Sequence, residues 1–316
     1  MEQAKVLIHI GYHKTATSAL QKQLFSAVDG PFATPPGEPK YVLSNRFVLP
    51  QPLTFDPNAV REQYADFLNT AHGSEKVAVF SHERFSGYPA TGGFDSPMIA
   101  DRLKKTFPDA HVLIVFREQL SSILSMYSQY VTDGGHKSFK RYIAQVEPMM
   151  RRVPMFSPEF YHYHRLFKYY QTLFGEDRVH GLTYEQFVRD SGAFVAQLCG
   201  GLGVEAPKQQ FDRTNTKRSQ SFQVLQRVVN RTLSRNQLSA GAFVPLPNAS
   251  RRFGKLSGPL SRIFPTALDT MIERRTARYA AEQFDGAFAE SNAALQELTG
   301  LDLGQYGYQM PDRQST

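Results

Sequence analysis

Two junctions carry the residue types that could do chemistry. The first is Ile8-His9-Ile10-Gly11-Tyr12-His13-Lys14-Thr15-Ala16-Thr17-Ser18-Ala19-Leu20. An apolar run ends at Gly11 and a helical pattern starts a few residues later, with Thr17 and Ser18 as cap candidates. A turn of this kind aims backbone N–H groups and the positive end of a helix at one point, which suits an anion. Lys14 adds a point charge, and Thr15, Thr17 and Ser18 add hydroxyls. The plainer alternative is a capped helix with Lys14 exposed. The second junction is His111–Phe116 running into Arg117, followed by a hydroxyl stripe of Ser121, Ser125, Ser128 and Thr132. An Arg fork at a strand end, with Ser125 two helical turns on, can hold a phosphate monoester. Its alternative is an Arg capping a carbonyl beside solvent-facing serines. A Walker A loop is excluded, because Gly11 lies three residues before Lys14 and no later strand ends in an Asp for magnesium.

The elements that must position these residues alternate along the first 200 positions. Strands are expected at Val6–Ile10, Val77–Phe80, His111–Phe116 and Val179–Tyr184. Helices are expected at Thr17–Val28, Asn58–Ala71, Met98–Phe107, Leu120–Val131, Pro158–Phe174, Glu185–Val188 and Ala193–Leu202. In the first of these, Leu20, Leu24 and Val28 form the apolar stripe. Continuous apolar strands alternating with helices predict an α/β fold with a parallel sheet covered on both faces. Ligands of such sheets bind beyond the carboxyl ends of the strands, where Lys14 and Arg117 fall. Further helices are expected at Ser219–Leu233, Leu268–Gln283 and Phe288–Leu298, with a mobile loop region at Asn236–Pro265. His9 reads as a hydrogen-bonded core histidine. The run Tyr161-His162-Tyr163-His164 reads as aromatic core and rim rather than a metal site, and Cys199 as inert core.

Length and charge set the outer bounds. The chain has 316 residues, 41% hydrophobic and 21% charged, with a net charge of +7. Between Arg213 and Arg278 stand 13 Lys or Arg against two acids, a net +11, which leaves −4 for the rest. One cysteine excludes a disulfide framework and a cysteine-rich metal site. No apolar run is long enough to span a bilayer and no leader is legible, so a cytoplasmic setting is expected. Length alone favours two domains. The interlocking motifs favour a single domain over 1–316 with a basic, lid-like helical segment at about 213–278.

Taken together, these segments resemble the sulfotransferases that use 3′-phosphoadenosine 5′-phosphosulfate (PAPS). The 5′-phosphosulfate loop of that family looks like Gly11–Leu20, above all His13-Lys14-Thr15-Ala16-Thr17. Its 3′-phosphate motif looks like Val112–Tyr127, with Arg117 at the strand end and Ser125 eight positions on. A strand ending in Tyr184-Glu185 also fits, and the resemblance puts Tyr184 near the adenine. The tail Glu290-Ser291-Asn292 to Tyr306-Gly307-Tyr308 is similar to that of bacterial members. The family commonly has Gly where this chain has Ala16, whose methyl is accommodated if φ is negative there. The chain has no Trp for adenine stacking. The basic element that completes the 3′-phosphate site is represented only by the candidates Lys217, Arg218 and Arg252.

The resemblance implies a P-loop-like fold and in-line transfer of a sulfuryl group from PAPS to a hydroxyl. The acceptor would be a carbohydrate, a glycolipid or another small molecule, with no metal. Nucleic acid is not an expected partner, and peripheral membrane contact is compatible with the basic segment. Lys14 would neutralise the leaving oxygen, and His13, Thr15, Ala16, Thr17 and Ser18 would hold the 5′ end. The base would come from Ser81-His82-Glu83-Arg84, where the family keeps a His or a Glu; Glu83 is favoured and His82 stands close behind. The plain reading of Glu83 is a surface ion pair with Arg84. Two other functions fit the same residues: a nucleotide- or polyanion-binding protein with a degenerate site, and a kinase-like phosphoryl transferase.

Overall fold

The computed structural model describes residues 4–39, 41–144, 155–208, 211–212, 219–236, 238, 246, 249–258 and 264–312. The chain divides into two compact units. One comprises Met1–Glu118, Pro158–Asp212 and Phe288–Thr316; the other comprises Gln119–Ser157 and Arg213–Ala287. The basic segment thus belongs to a unit that also takes in 119–157.

The first unit is built on a parallel sheet of five strands: β1 (Val6–Gly11), β2 (Phe32–Ala33), β3 (Val77–Ser81), β4 (His111–Phe116) and β5 (Val179–Thr183). Their order is β2-β3-β1-β4-β5, which puts β1 in the middle. Because side chains alternate along a strand, each strand feeds two cores. Leu7, Val79, Leu113, Val115 and Leu182 face one side. There they meet Leu20, Leu24 and Phe25 after helix α1 (Thr17–Ala19), and Phe194, Leu198 and Cys199 of a later helix, Ser191–Leu202. On the other side the packing is aromatic. Phe80 stacks on Phe107 at 4.5 Å, and Phe116 meets Tyr163 and Phe167 at 5.5 and 5.7 Å. Both faces are covered, as all-parallel sheets require. Cys199 is buried and its thiol is pushed up to about 11 by that burial, which leaves it unreactive.

Several boundaries depart from expectation. The helix expected over Thr17–Val28 is α-helical only to Ala19, continues as a π-helix over Leu20–Phe25 and stops there. The wider π turn breaks the i, i+4 stripe, so Val28 is 84% exposed. The stretch Asn58–Ala71 is two helices, Pro57–Glu62 and Ala65–Gly73, the first started by Asp56 capping the N–H groups of Asn58 and Ala59. Pro158–Phe174 is a 3-10 turn, Pro158–Tyr161, followed by an α-helix over Tyr163–Phe174. Tyr161 and Tyr163 are buried, while His164 pairs with Ser291 Oγ at 2.7 Å. Tyr184 opens a helix rather than closing β5.

In the second unit, helix Gln119–Thr132 is held to helix Gln220–Leu233 by Asn230, whose amide donates to the carbonyls of Val131 and Gly135 at 2.7 and 2.8 Å. Gln220–Leu233 turns a polar side inward, with Gln226 and Asn230 buried and Val224 and Val228 exposed. Part of the expected mobile region, Ala249–Gly254, is helical, and helix Thr266–Gln283 follows. Lys217 and Arg218 lie outside the described residues, and Arg252 lies exposed on Ala249–Gly254. Among the described residues no helix is long and apolar enough to cross a membrane.

Candidate functional site

The loop after β1 is shaped by two left-handed residues. Lys14 has φ 71° and Ala16 has φ 60°, ψ 15°. Left-handed residues alternating with ordinary ones turn successive N–H groups toward a common concave side, a shape that receives an anion. Ala16 is the N-cap of α1 and offers no side-chain bond, so neither Thr17 nor Ser18 caps the helix. The negative φ that would accommodate the Ala16 methyl is not what the backbone adopts: the methyl is carried in a conformation that glycine takes at no steric cost.

Side chains fix the loop from below. Tyr12 donates its N–H to Val115 at 3.3 Å and buries its ring against Tyr163, with centroids 4.4 Å apart. Thr15, wholly buried, donates its hydroxyl to the Tyr12 carbonyl at 2.6 Å, so that hydroxyl holds the turn itself. Gly11 is required for this closure. A Cβ there would stand 2.2 Å from Thr17 Oγ1 and 3.1 Å from Thr15 Oγ1. Thr17 Oγ1 and His13 Nε2 are both buried with no hydrogen-bond partner. Lys14 is half-buried and Ser18 exposed.

The sheet register brings the end of β3 beside this loop. Ser81 pairs with His9, and the His82 N–H donates to the His9 carbonyl at 3.2 Å. His9 is buried, its Nδ1 2.7 Å from Ser81 Oγ. Burial pushes His9 down to about 3 and His13 down to about 4, in both cases against the attraction of the nearby Glu83 carboxylate. Both rings are therefore neutral near pH 7. His82 is engaged at both ring nitrogens. Nδ1 accepts the Arg84 N–H at 3.0 Å and caps the 3-10 turn Glu83–Ser86, which leaves the ring proton on Nε2, 3.1 Å from Ser44 Oγ. Arg84 forms a salt bridge to Asp95 at 2.9 Å.

On the other side of β1, the ladders align Gly11 with Val115 and Phe116 with Thr183. Arg117 and Tyr184 therefore leave the sheet side by side. The Arg117 guanidinium lies 4.5 Å from the Tyr184 ring centroid and donates from Nη1 to the Lys14 carbonyl at 2.9 Å. Lys14, Arg117 and Tyr184 are thus gathered by direct contact, and the His82–Glu83 step flanks them across β1. Ser125 lies half-buried on Gln119–Thr132, in the second unit. Glu185, noted in the sequence only as part of a Tyr-Glu strand end, accepts the Glu118 N–H at 3.0 Å and the Tyr308 hydroxyl at 3.1 Å. Burial holds its carboxyl above the usual range, opposed by those bonds and by the charge of Arg117.

A parallel sheet whose central strand runs into a loop with two left-handed residues, with Lys14 in that loop and Arg117 at the next strand end, defines an α/β protein. The model of the sulfotransferase family matches residues 10–208, and the chain belongs to that family. Among solved structures, the sulfotransferase of Alicyclobacillus acidocaldarius is 24% identical over 71% of this chain and 90% of its own, with a TM-score of 0.48. The sulfotransferase domain of the curacin biosynthetic pathway is 12% identical over 90% of this chain and 98% of its own, with a TM-score of 0.39. That of the Synechococcus PCC 7002 olefin synthase is 15% identical over 88% and 94%, with a TM-score of 0.38. No curated protein matches.

Proposed function

We propose that this sulfotransferase moves the sulfuryl group of PAPS to a hydroxyl of a carbohydrate or glycolipid. The observation that carries the donor assignment is the loop at Gly11–Ser18. Its two left-handed residues, the buried and unpartnered Thr17 Oγ1 and His13 Nε2, and the half-buried Lys14 make a donor-rich hollow that fits the 5′ end of such a nucleotide. PAPS, when bound, supplies an activated sulfuryl group on a phosphate leaving group. Lys14 and the loop N–H groups oppose the charge that grows on the leaving oxygen. Arg117 holds the loop through the Lys14 carbonyl and takes the 3′-phosphate. Tyr184, already stacked under Arg117, lies toward the adenine.

The acceptor proton goes to Glu83. Its neighbour His82 uses Nδ1 to cap Arg84 and Nε2 to meet Ser44, so the imidazole is spent on the turn that presents Glu83. His9 and His13 beside it are neutral near pH 7, so neither ring faces Glu83 as a competing cation.

Thermal shift separates this from other nucleotide functions. The donor product 3′-phosphoadenosine 5′-phosphate (PAP), at about 100 times its Kd, adds about 2.7 kcal/mol of stability and raises the Tm. Adenosine 5′-phosphate and adenosine triphosphate raise it less. Equal shifts for all three, or none, would remove the PAPS assignment. Arg117→Ala is expected to weaken PAP far more than adenosine 5′-phosphate.

A further inference from the structure

We propose that Glu185 is a positioning residue, which with Tyr308 clamps the backbone at the β4 exit and so sets Arg117 against the donor loop. The inference rests on the sulfotransferase reading above and names residues outside the loop that reading uses.

The argument starts from one peptide unit. The carbonyl of Arg117 and the N–H of Glu118 belong to the same plane. Tyr163 Oη donates to that carbonyl at 2.9 Å, and Glu185 Oε1 accepts from that N–H at 3.0 Å. Both polar groups of the plane are held by side chains from different elements, so its rotation is fixed. The direction in which Arg117 leaves the chain is fixed with it. The guanidinium then reaches the Lys14 carbonyl at 2.9 Å with the Tyr184 ring beneath it.

Glu185 is itself held. Tyr308, buried to 4% exposure, donates its hydroxyl to Oε2 at 3.1 Å. A bond from a hydroxyl to a carboxylate is stronger than a neutral one and fixes which way the carboxylate faces. Thr183 caps Gln186 at 3.1 Å and starts the helix Tyr184–Arg189, so a single turn supplies both the ring under the guanidinium and the carboxylate under the peptide. A carboxyl whose ionisation burial opposes is a costly hydrogen-bond acceptor for a backbone N–H. The cost is explained if the clamp sets the geometry of Arg117.

Three single variants and one double variant test this. Tyr308→Phe keeps the ring and removes one bond. Its Kd for PAP is expected to rise about three- to tenfold with Tm within about 2 °C of wild type and acceptor KM unchanged. Glu185→Ala is expected to lose about ten- to thirtyfold, whereas Glu185→Gln, which still accepts the Glu118 N–H, recovers most of it. Adding Glu185→Ala to Arg117→Ala costs nothing further if the carboxylate acts through Arg117. Full additivity, an unchanged PAP Kd in all three variants, or a Gln variant as weak as the Ala variant overturns the proposal. Hydrogen exchange supplies a readout that needs no donor: amides of residues 11–20 exchange faster in Tyr308→Phe, and unaltered exchange overturns the clamp. Wild-type protein that fails to bind PAP defeats the donor reading instead, and the exchange measurement still decides the clamp.

Discussion

Ala16→Gly is expected to stabilise the protein. An L-residue in the left-handed region costs about 1–2 kcal/mol, because Cβ crowds the following carbonyl. Ala16 sits there at φ 60°, ψ 15°. Glycine removes that cost but gives the unfolded chain more freedom, worth about 0.4–1 kcal/mol in the opposite direction. The net gain is about 0.5–1 kcal/mol. Unfolding entropy of about 2.1 cal/mol/K per residue converts this to a rise in Tm of roughly 1–1.5 °C. Ala16→Val goes the other way, by more than about 1 kcal/mol, since a β-branched side chain tolerates this region worse than alanine. Urea unfolding of the three proteins, read by circular dichroism, gives the order Gly above Ala above Val. A glycine variant less stable than the parent, with a valine variant unchanged, would refute the strain assigned to this loop.

Other outcomes follow from the site. Lys14→Ala is expected to abolish sulfuryl transfer while PAP still binds in a calorimeter; full turnover in that variant removes Lys14 from the chemistry. Glu83→Gln lowers kcat by about 10²–10⁴, as loss of a general base does. By contrast, His82→Ala costs about 1 kcal/mol of stability through the lost cap and leaves kcat within about tenfold. Reversal of those two effects would make His82 the base. His9 is neutral when folded and takes up a proton when unfolded below pH 6.5, so its stabilisation is complete above about 6.5 and falls as the pH drops toward its folded value of about 3. The slope from His9 alone is about 1.4 kcal/mol per pH unit, roughly 2 kcal/mol by pH 5. Urea midpoints at pH 7 and pH 5 check it, and His9→Gln flattens the difference.

Most of the sheet was legible because β1, β3 and β4 are largely apolar runs. His111–Phe116 matches end to end, and Val6 and Val77 mark the starts of their strands. β2, two residues long, carries no periodicity to read. Helix ends were lost where local geometry changed. The π-helix after Ala19 left Val28 outside, and the break before Ala65 split an otherwise even pattern. Lys14 and Arg117 announced themselves by residue type at a strand end. The left-handed backbone at Ala16 did not, because its usual signal is glycine. Nor could spacing show that His82 turns back to cap Arg84, two residues on, or that Tyr308 meets Glu185.

The contacts that complete the loop join residues far apart in the chain. Arg117 reaches Lys14 across 103 positions, and Tyr308 reaches Glu185 across 123. Contacts of such separation form late, after the entropy of closing long loops has been met. During synthesis, β1 leaves the ribosome well before either of its neighbours in the sheet, β3 and β4. The loop that reads first in the sequence is therefore complete only once Arg117, 103 positions later, has joined it.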